Sequence, residues 1–423
     1  MTAAIPAGLI REPRFLCVGE RVLDRAMDPL DFLTCVGDER AFYFERPADG
    51  VSIAAAGVVP GIEEPDRGQE PAGLRVGGFA FDRSRAPDGQ WSGFPDASWS
   101  VPRVALLNRD GESVLRVAAT ADEGGGARVE AGLDEVVRRL GRPTSAPESE
   151  GVAHYQMEAL GSVAHWKAAV EATLADIAAG RLSKLVLARA ARITADVPWR
   201  RFRIARRLRA AHPGATVFAV TFGTRTLVGA TPERLARLDD RRLTTAAVAG
   251  TAPPAPIGGE EDRAFLADQK ERREHAVVVD ELQRRLAPLT TDLVVPEAPA
   301  ILTTPALRHL HTPISAELRA GRGLLDVCGE LHPSPAVCGL PVDFAKEALR
   351  EREQIDRGWY AGGIGWLDEG DGEVVVPLRA ALLDGRVATL YAGAGIVEGS
   401  RWEAELEETR LKMRVMQAAL LEL

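Results

Sequence analysis

The sequence predicts an α/β (α+β) protein in which mainly antiparallel β-sheets are flanked by helices. Segments with strand patterning far outnumber the helices that could cross between them, which argues against a doubly wound parallel sheet. The chain has 423 residues, of which 46% are hydrophobic and 27% charged, and this is the composition of an ordinary globular protein. The length fits two or three domains or one large α/β unit.

The first part of the chain, residues 1–150, is rich in glycine, proline and short apolar runs. Alternating patterns at 78–81 and 104–107 indicate strands. Residues 141–151, GRPTSAPESEG, have the composition of a linker. These observations divide the chain into a β-rich N-terminal part and a second part, residues 151–423.

The second part mixes helical and strand patterns. A helical period is present at 164–179 and at 262–286, a stretch without glycine or proline. The segments with strand patterning are 184–193, 217–222, 226–228, 242–249, 361–367, 373–383 and 388–391. A final helix follows the last of them.

The final helix carries charged residues in the middle of its apolar side. Ser400 and Glu403 have the spacing of a capping box, which predicts where the helix begins. At roughly 100° per residue, Glu405, Glu408 and Lys412 belong to the apolar stripe and not to the solvated face. Because buried carboxylates are costly unless paired, protonated or metal-bound, this face is a candidate site.

A second acid pair lies on the predicted helix 262–286. Glu271 and Glu274 share its apolar face at i, i+3 spacing. Taken alone, each pair has a simpler explanation, because acids on a helix are often solvated or paired with neighbouring arginines. Four carboxylates in one volume would repel, and Mg²⁺, which prefers oxygen ligands and retains positions for water or an anionic substrate, is the natural counter-charge. No His/Cys spacing indicates Zn²⁺.

Charge and hydropathy set expectations for partners and location. The net charge is −9 with acidic and basic residues interspersed, which predicts no nucleic-acid partner and no anionic membrane partner. No apolar run reaches the roughly 20 residues that span a bilayer, and no secretory pattern opens the chain. The four scattered cysteines are expected to be reduced thiols. We therefore expect a cytoplasmic protein and, without a coiled-coil pattern, a monomer.

Several short motifs in the second part occur together. In chain order they are KLVLAR from Lys184, GATPE ending at Glu233, AGT from Ala249, Glu271-x-x-Glu274-His275, His309-Leu310, LHPSPAVCG from Leu331, Arg357-Gly-Trp-Tyr360, and GAGI from Gly393 followed by Glu405-x-x-Glu408-x-x-x-Lys412. As a set they resemble the chorismate-utilising enzymes, which include the synthases of isochorismate, salicylate, anthranilate and aminodeoxychorismate. The resemblance covers residues 155–420, and residues 77–102 are similar to the N-terminal part of isochorismate synthases. It implies one large unit in which 141–151 is a surface connection.

The resemblance implies how chorismate, a dicarboxylate, would be held. Mg²⁺ would bind the ring carboxylate, assisted by Lys412 and the amides around Gly393 and Gly395. The residues that would hold Mg²⁺ are Glu274 and Glu408, with Glu271 and Glu405 nearby or acting through water. Arg379 and Tyr360 match positions that hold the enolpyruvyl carboxylate, and arginine suits that task through its bidentate fork. The alternatives are a strand-surface ion pair for Arg379 and a core tyrosine for Tyr360.

The resemblance also implies an acid and a base. Conversion of chorismate to isochorismate adds water at C2 and removes the C4 hydroxyl, which requires a base on one side of the ring and an acid on the other. Lys184 matches the base and Glu233 the acid. Without the surrounding motifs, a snorkelling lysine and a helix-start glutamate would be the simpler interpretations.

Two positions indicate the branch of the family. Lys184 favours water over an amine as nucleophile, and Ala336 replaces the threonine associated with pyruvate elimination. Together they favour isochorismate synthase over salicylate synthase, and a silent chorismate-binding or scaffold protein is a remote alternative. His309 aligns with a histidine that shapes the enolpyruvyl side, whereas His311 is expected to be structural. Both menaquinone and siderophore biosynthesis stay open as downstream routes.

Overall fold

Two antiparallel sheets form the body of the protein in a computed structural model that describes residues 16–37, 40–62, 73–85, 89–141, 152–303 and 308–422. The strands are β1 (Leu16–Val22), β2 (Phe42–Arg46), β3 (Val51–Ala56), β4 (Arg75–Phe79), β5 (Ala97–Ser100), β6 (Val104–Arg109), β7 (Glu112–Thr120), β8 (Tyr155–Leu160), β9 (Lys184–Ala195), β10 (Thr216–Phe222), β11 (Arg225–Thr231), β12 (Arg234–Asp239), β13 (Arg242–Ala252), β14 (Thr290–Val294), β15 (Ala300–Thr303), β16 (Arg308–Leu318), β17 (Gly339–Leu340), β18 (Gly363–Asp368), β19 (Asp371–Val375), β20 (Ala380–Asp384) and β21 (Val387–Ile396). The helices are α1 (Pro29–Val36), α2 (Gly125–Leu140), α3 (Val163–Ala178), α4 (Arg201–Ala211), α5 (Glu260–Ala267), α6 (Gln269–Leu286), α7 (Leu324–Leu331), α8 (Val342–Arg352) and α9 (Trp402–Leu421).

The larger sheet has twelve strands among the described residues. Its order is β1-β7-β6-β3-β2-β10-β11-β20-β21-β9-β17, with β8 also paired to β9. The smaller sheet has the order β14-β16-β13-β12-β19-β18-β4-β5, with β15 also paired to β16. Every pairing is antiparallel where the structure describes it, so the predicted fold class is confirmed.

The two parts of the chain share both sheets. Strands β1–β3, β6 and β7 belong to the larger sheet, and β4 and β5 to the smaller one. The main apolar core lies between the sheets and includes Trp91, Phe94 and Trp359, which come from both parts of the chain. The predicted linker, apart from Gly141, lies outside the described residues.

The prediction of a single helix over residues 262–286 is wrong, because the helix is interrupted at Asp268. Helix α5 ends there, and the Asp268 carboxylate accepts a hydrogen bond from the Glu271 N–H as the N-cap of α6. Aspartate satisfies the exposed amides of a helix start better than it propagates a helix. The break places Glu271 and Glu274 in the first two turns of α6.

The single strand predicted over 373–383 is also wrong. It is two strands, β19 in the smaller sheet and β20 in the larger. Pro377 lies between them and cannot donate to a strand ladder. Arg379 ends the crossing with a left-handed φ of 46°, so the break between the sheets positions this arginine.

The capping box predicted at Ser400 and Glu403 is wrong as well. Arg401 is the N-cap of α9 and makes no side-chain cap. The Ser400 hydroxyl instead accepts a hydrogen bond from the Val397 N–H, which ties it to the end of β21. The faces of α9 follow the predicted periodicity, with Glu405 buried among apolar residues.

A cluster of arginines on α4 forms ion pairs within the molecule. The sequence alone did not identify this cluster. Arg206 and Arg209 pair with Asp28, while Arg207 pairs with Glu422 beyond α9. Helix α4 thus links the start of α1 to the end of α9. Among the described residues, no helix is long and apolar enough to cross a membrane.

Candidate active site

A pocket lined by residues of both sheets lies between them. Its walls come from β9, β21, the ends of β11 and β13, β16, helices α6 and α9, and the connections before β17, β18 and β20. The predicted site residues that line it are Lys184, Glu233, Glu274, His309, Ala336, Tyr360, Arg379, Gly393, Gly395, Glu408 and Lys412. The structure therefore collects these residues, which span more than 200 positions of sequence, around one volume.

Lys184, at the start of β9, forms a buried ion pair with α6. Its Nζ donates to Glu274 Oε1 across 2.7 Å, and its side chain is 2% exposed. Burial opposes ionisation of Glu274, but Lys184 and two further lysines hold the pKa of its carboxyl below the ordinary value. Gly395 makes the contact possible, because a Cβ there would lie 2.7 Å from Glu274 Oε1.

Lys412 makes the equivalent contact on α9. Its Nζ donates to Glu408 Oε1 at 2.7 Å and to the Gly393 carbonyl at 3.0 Å. The α9 helix is thereby held against β21 at the floor of the pocket. The pocket-facing carboxylates of α6 and α9, Glu274 and Glu408, thus each have a lysine partner.

Glu271 and Glu405 lie behind this pair and outside the lining of the pocket. Glu271 Oε2 accepts a hydrogen bond from the Thr251 N–H at 2.9 Å, and Lys270 Nζ is 3.7 Å from a carboxylate oxygen of each acid. Burial and the neighbouring Glu408 raise the pKa of Glu405 to about 7. Burial and Glu274 also raise the pKa of Glu271. Negative charge is therefore crowded on the α6–α9 side of the pocket.

Across the described residues, no three His, Cys, Asp or Glu side chains converge closely enough to form a metal site as they stand. The donors nevertheless suit a hard cation, because they are carboxylates from two facing helices. Burial is the main cause of the raised pKa of Glu405, and repulsion from Glu408 adds to it; a divalent cation would relieve that repulsion.

Glu233 follows Pro232 in the connection between β11 and β12 and faces the pocket. Its backbone is fixed on both sides, since its N–H donates to Thr231 Oγ1 and its carbonyl accepts from the Val376 N–H. Burial raises the pKa of its carboxyl to about 7, although Lys184, Lys412 and Arg379 act in the opposite direction. A proton is therefore available on this carboxyl near neutral pH.

Arg379 and His309 form a second polar pair on the wall of the pocket. Burial and the charges of Arg379 and Lys412 lower the pKa of His309 to about 3, so the imidazole is neutral. Its Nδ1 lies 3.1 Å from the Gly250 carbonyl and must donate there. Its Nε2 is then an acceptor for Arg379 Nη2 at 2.9 Å. Burial lowers the pKa of Arg379 only to about 10, so the guanidinium keeps its charge.

Tyr360 lies against a second tyrosine. Its ring is stacked on that of Tyr391 with centroids 5.1 Å apart and planes 17° apart. Gln90, from the N-terminal part of the chain, donates to the Tyr391 hydroxyl at 2.6 Å. Residue Ala361, which follows Tyr360, has a left-handed φ of 60°. The hydroxyl of Tyr360 is 3.6 Å from the place where a Cβ on Gly393 would lie.

A model of the chorismate binding enzyme family matches residues 62–421. The chain belongs to the chorismate binding enzyme family. The resemblance predicted from the motifs is confirmed.

Individual members of the family are similar over most of the chain. The salicylate biosynthesis isochorismate synthase of Pseudomonas aeruginosa is 37% identical over 354 residues, which is 81% of this chain and 73% of that protein. Isochorismate synthase MenF of Bacillus subtilis is 33% identical over 350 residues, 81% of this chain and 74% of that protein. The structure of MenF, the menaquinone-specific isochorismate synthase from Escherichia coli, matches with a TM-score of 0.80 and 26% identity over 97% of each chain.

Some pocket residues of this chorismate binding enzyme were not identified from its sequence. Val186 and Ala188 line the pocket at period two from Lys184, and Tyr391 does so at period two from Gly393. Strand alternation alone could have identified all three. Arg357 also lines the pocket and opens the Arg-Gly-Trp-Tyr motif, but nothing local in the sequence shows what it contacts.

Proposed function

We propose that this protein is an isochorismate synthase, which converts chorismate to isochorismate by adding water at C2 and removing the C4 hydroxyl. The observation that carries the proposal is the pairing of Lys184 and Glu233 on the walls of one pocket in a protein of this family. The relatives named as isochorismate synthases support the same reaction.

Glu233 serves as the general acid. Its carboxyl is buried, and with a pKa of about 7 it retains a proton at neutral pH. Loss of the C4 hydroxyl as water requires such a proton, and an acid with a pKa near the working pH transfers it efficiently. The fixed backbone of Glu233 keeps the carboxyl aimed into the pocket.

Lys184 serves as the general base for the attacking water. Its amine is held by Glu274 in this structure, a contact that orients it at the end of β9. A lysine acts as a base only when its amine is neutral. Engagement of Glu274 by another cation would release the Lys184 amine from this partner.

The two carboxylates of chorismate find different partners. Arg379, held by His309 and still charged, binds the enolpyruvyl carboxylate together with the Tyr360 hydroxyl. Lys412 and the backbone around Gly393 and Gly395 bind on the ring-carboxylate side. This division keeps the ring between Lys184 and Glu233.

We further propose that the protein uses Mg²⁺, held by Glu274 and Glu408, with Glu271 and Glu405 as outer partners. When bound, the ion supplies positive charge for the ring carboxylate. The crowded carboxylates of α6 and α9 support this donor set. Lys270, which contacts both outer acids, provides part of the counter-charge from the solvent side.

A product assay tests the function. Purified protein is incubated with chorismate and Mg²⁺, and isochorismate and pyruvate are measured separately. We expect isochorismate without pyruvate, because Ala336 stands where a threonine would accompany elimination. Pyruvate or salicylate formed without an added lyase would establish a salicylate synthase instead, and no turnover of chorismate would refute both.

A further inference from the structure

Strand β9 has a gap in its pairing where it passes the pocket. Along one edge it pairs with β21 without interruption from residue 185 to 194. Along the other edge, β17 covers Lys184 and Leu185, and β8 covers residues 190–195. Within the described part of the chain, no strand neighbours residues 186–189 on this edge, and two of them, Val186 and Ala188, line the pocket.

The backbone groups exposed by this gap are bound by one backbone carbonyl and by two side chains. The Val186 N–H donates to the Cys338 carbonyl at 2.7 Å. The Val186 carbonyl accepts from Arg357 Nη2 at 2.7 Å, and the Ala188 N–H donates to Glu353 Oε1 at 2.7 Å. One acidic and one basic side chain therefore complete the strand edge where backbone would ordinarily do so.

These two side chains are paired with each other. Arg357 Nε donates to Glu353 Oε2 at 2.9 Å, and Nη2 to Oε1 at 2.5 Å. The exposed fractions of the side chains are 4% for Arg357 and 6% for Glu353. Buried charges of this kind are tolerated when every polar atom finds a partner, and removing one partner leaves the other uncompensated.

The same guanidinium also binds the segment that leads into β17. Arg357 Nη1 donates to the Val337 carbonyl at 2.7 Å, next to Ala336, which lines the pocket. Only an arginine fork can bind the β9 carbonyl, the Val337 carbonyl and the Glu353 carboxylate at once, because its donors are fixed in one plane.

We propose that Glu353 and Arg357 are positioning residues that fix the spacing between the Lys184 strand and the Ala336 wall. The proposal rests on the proposed function, since the spacing matters where Lys184 acts on water beside the substrate. Arg357 and Glu353 act through β9 and the 336–337 backbone. Arg379, Tyr360 and Lys412, which bind the substrate carboxylates, are left in place.

Kinetics separate positioning from substrate binding. For Arg357→Lys and Glu353→Gln we expect kcat to fall about 10²-fold, the effect of displacing a reacting group by about 1 Å, while KM for chorismate stays within about threefold. The double variant Glu353→Gln/Arg357→Lys should lose no more than the worse single variant, because both substitutions break one network. Multiplicative losses, or a rise in KM with kcat unchanged, would overturn the proposal.

Arg285→Lys is the matched control. Arg285 is similarly buried, pairs with Glu281 on its own helix, and donates to the backbone carbonyls of Glu330 and Pro333, but it does not line the pocket. We expect it to lower the melting temperature as Arg357→Lys does and to leave kcat unchanged. An equal loss of kcat in the control would show general loosening and would refute positioning.

Hydrogen exchange tests the contact without catalysis. In Glu353→Gln, the Ala188 amide loses a charged acceptor, so peptides spanning residues 184–189 should exchange faster than in the wild type, whereas peptides spanning β21 should not. Unchanged exchange at 184–189 would refute the proposal. If the wild type forms no isochorismate, the proposed function fails on that assay alone, and the exchange result still decides whether the pair holds β9.

Discussion

Arg379 Nη2 donates a hydrogen bond to His309 Nε2 at 2.9 Å, which joins the crossing between the two sheets to strand β16. The imidazole can accept this bond because it is neutral and its other nitrogen donates to the Gly250 carbonyl. The Arg379 guanidinium is therefore held at one edge, and its other N–H groups can face a carboxylate in the pocket. His309 therefore has the geometry of a residue that positions Arg379.

His309→Ala should raise KM for chorismate about tenfold or more, because a hydrogen bond that involves a charged group contributes about 1.5–3 kcal/mol. His309→Gln should retain most of the affinity, since its amide oxygen can accept from Arg379. Steady-state kinetics of both variants make the measurement. If His309→Ala keeps the wild-type KM, the histidine does not hold the arginine for substrate binding.

Glu233 gives the reaction a pH dependence of defined sign. The acid form is needed and its pKa is about 7, so kcat/KM should fall as pH rises above about 7. Glu233→Gln should lower kcat by about 10²–10⁴-fold. Its residual activity should no longer fall as pH rises above about 7. A profile that rises through pH 7–9 with no loss would contradict the acid assignment.

The same pKa shift makes a prediction for stability. The folded protein holds the Glu233 proton more tightly than the unfolded chain, so its contribution to stability is lost as pH rises from about 4.5 to about 7. Relative to Glu233→Gln, the wild type should be less stable at pH 8 than at pH 4.5 by an amount of the order of 3 kcal/mol. Urea unfolding of both proteins at the two pH values tests this, and a constant difference would refute it.

Lys184→Ala should abolish turnover and also destabilise the protein. It removes the base and leaves the Glu274 carboxylate without its lysine partner, and breaking a buried pair costs about 3–5 kcal/mol. Lys184→Arg keeps a charge beside Glu274 and should recover stability without recovering turnover. Lys167→Ala is the control, because Lys167 is half exposed and pairs only weakly with Glu171. Turnover by Lys184→Ala would exclude the base assignment.

Mg²⁺ binding should depend on the inward acids of α9 and not on its outward ones. Removal of the metal with EDTA should stop turnover, and Mg²⁺ should restore it. In calorimetry, Glu408→Gln should weaken Mg²⁺ binding at least tenfold, whereas Glu407→Gln should not, since Glu407 is exposed and pairs with Arg410 on the outer face. Equal affinities in the two variants would place the metal elsewhere.

Local periodicity was sufficient to find the charged residues of the site but not all of their partners. The inward direction of Glu271, Glu274, Glu405 and Glu408 follows from helix geometry, because each lies on an apolar stripe. The lysine partner of Glu408 is also local, because Lys412 lies one turn further along α9, whereas the partner of Glu274 follows from long-range packing. The contact between Lys184 and Glu274 joins residues 90 positions apart, and no pattern within one element predicts it.

The errors in the fold have local causes that the sequence displayed. Pro377 interrupts the predicted strand and sends β19 and β20 to different sheets, and Asp268 interrupts the predicted helix because it caps the next one. Pro377 interrupts a strand pattern and Asp268 caps a helix, and each lies inside a pattern that is otherwise continuous. The gap in β9 differs, because no local feature indicates that the Glu353 and Arg357 side chains will replace a strand. Only the assembled fold shows it.

Substitution of Asp28 tests how much its ion pairs with the arginines of α4 contribute to the stability of the protein. Its carboxylate caps α1 by accepting from the Leu30 and Asp31 amides, and it pairs with Arg206 and Arg209. Burial alone would raise the pKa of Asp28, but Arg209, the Asp31 amide and Arg206 hold it below the ordinary value.

Asp28→Asn keeps an oxygen for the cap and removes the charge, so it should cost about 1 kcal/mol. Asp28→Ala removes the cap as well and should cost about 1 kcal/mol more. Because the lowered pKa stabilises the folded state in full only above the unfolded value, the difference between wild type and Asp28→Asn should shrink as pH falls below the ordinary aspartate value and vanish below the lowered pKa of Asp28. Denaturant unfolding of both variants, with the exposed Asp24→Asn as control, measures these costs. Equal stability of Asp28→Asn and wild type at pH 7 would show that the pairs of Asp28 with Arg206 and Arg209 contribute nothing.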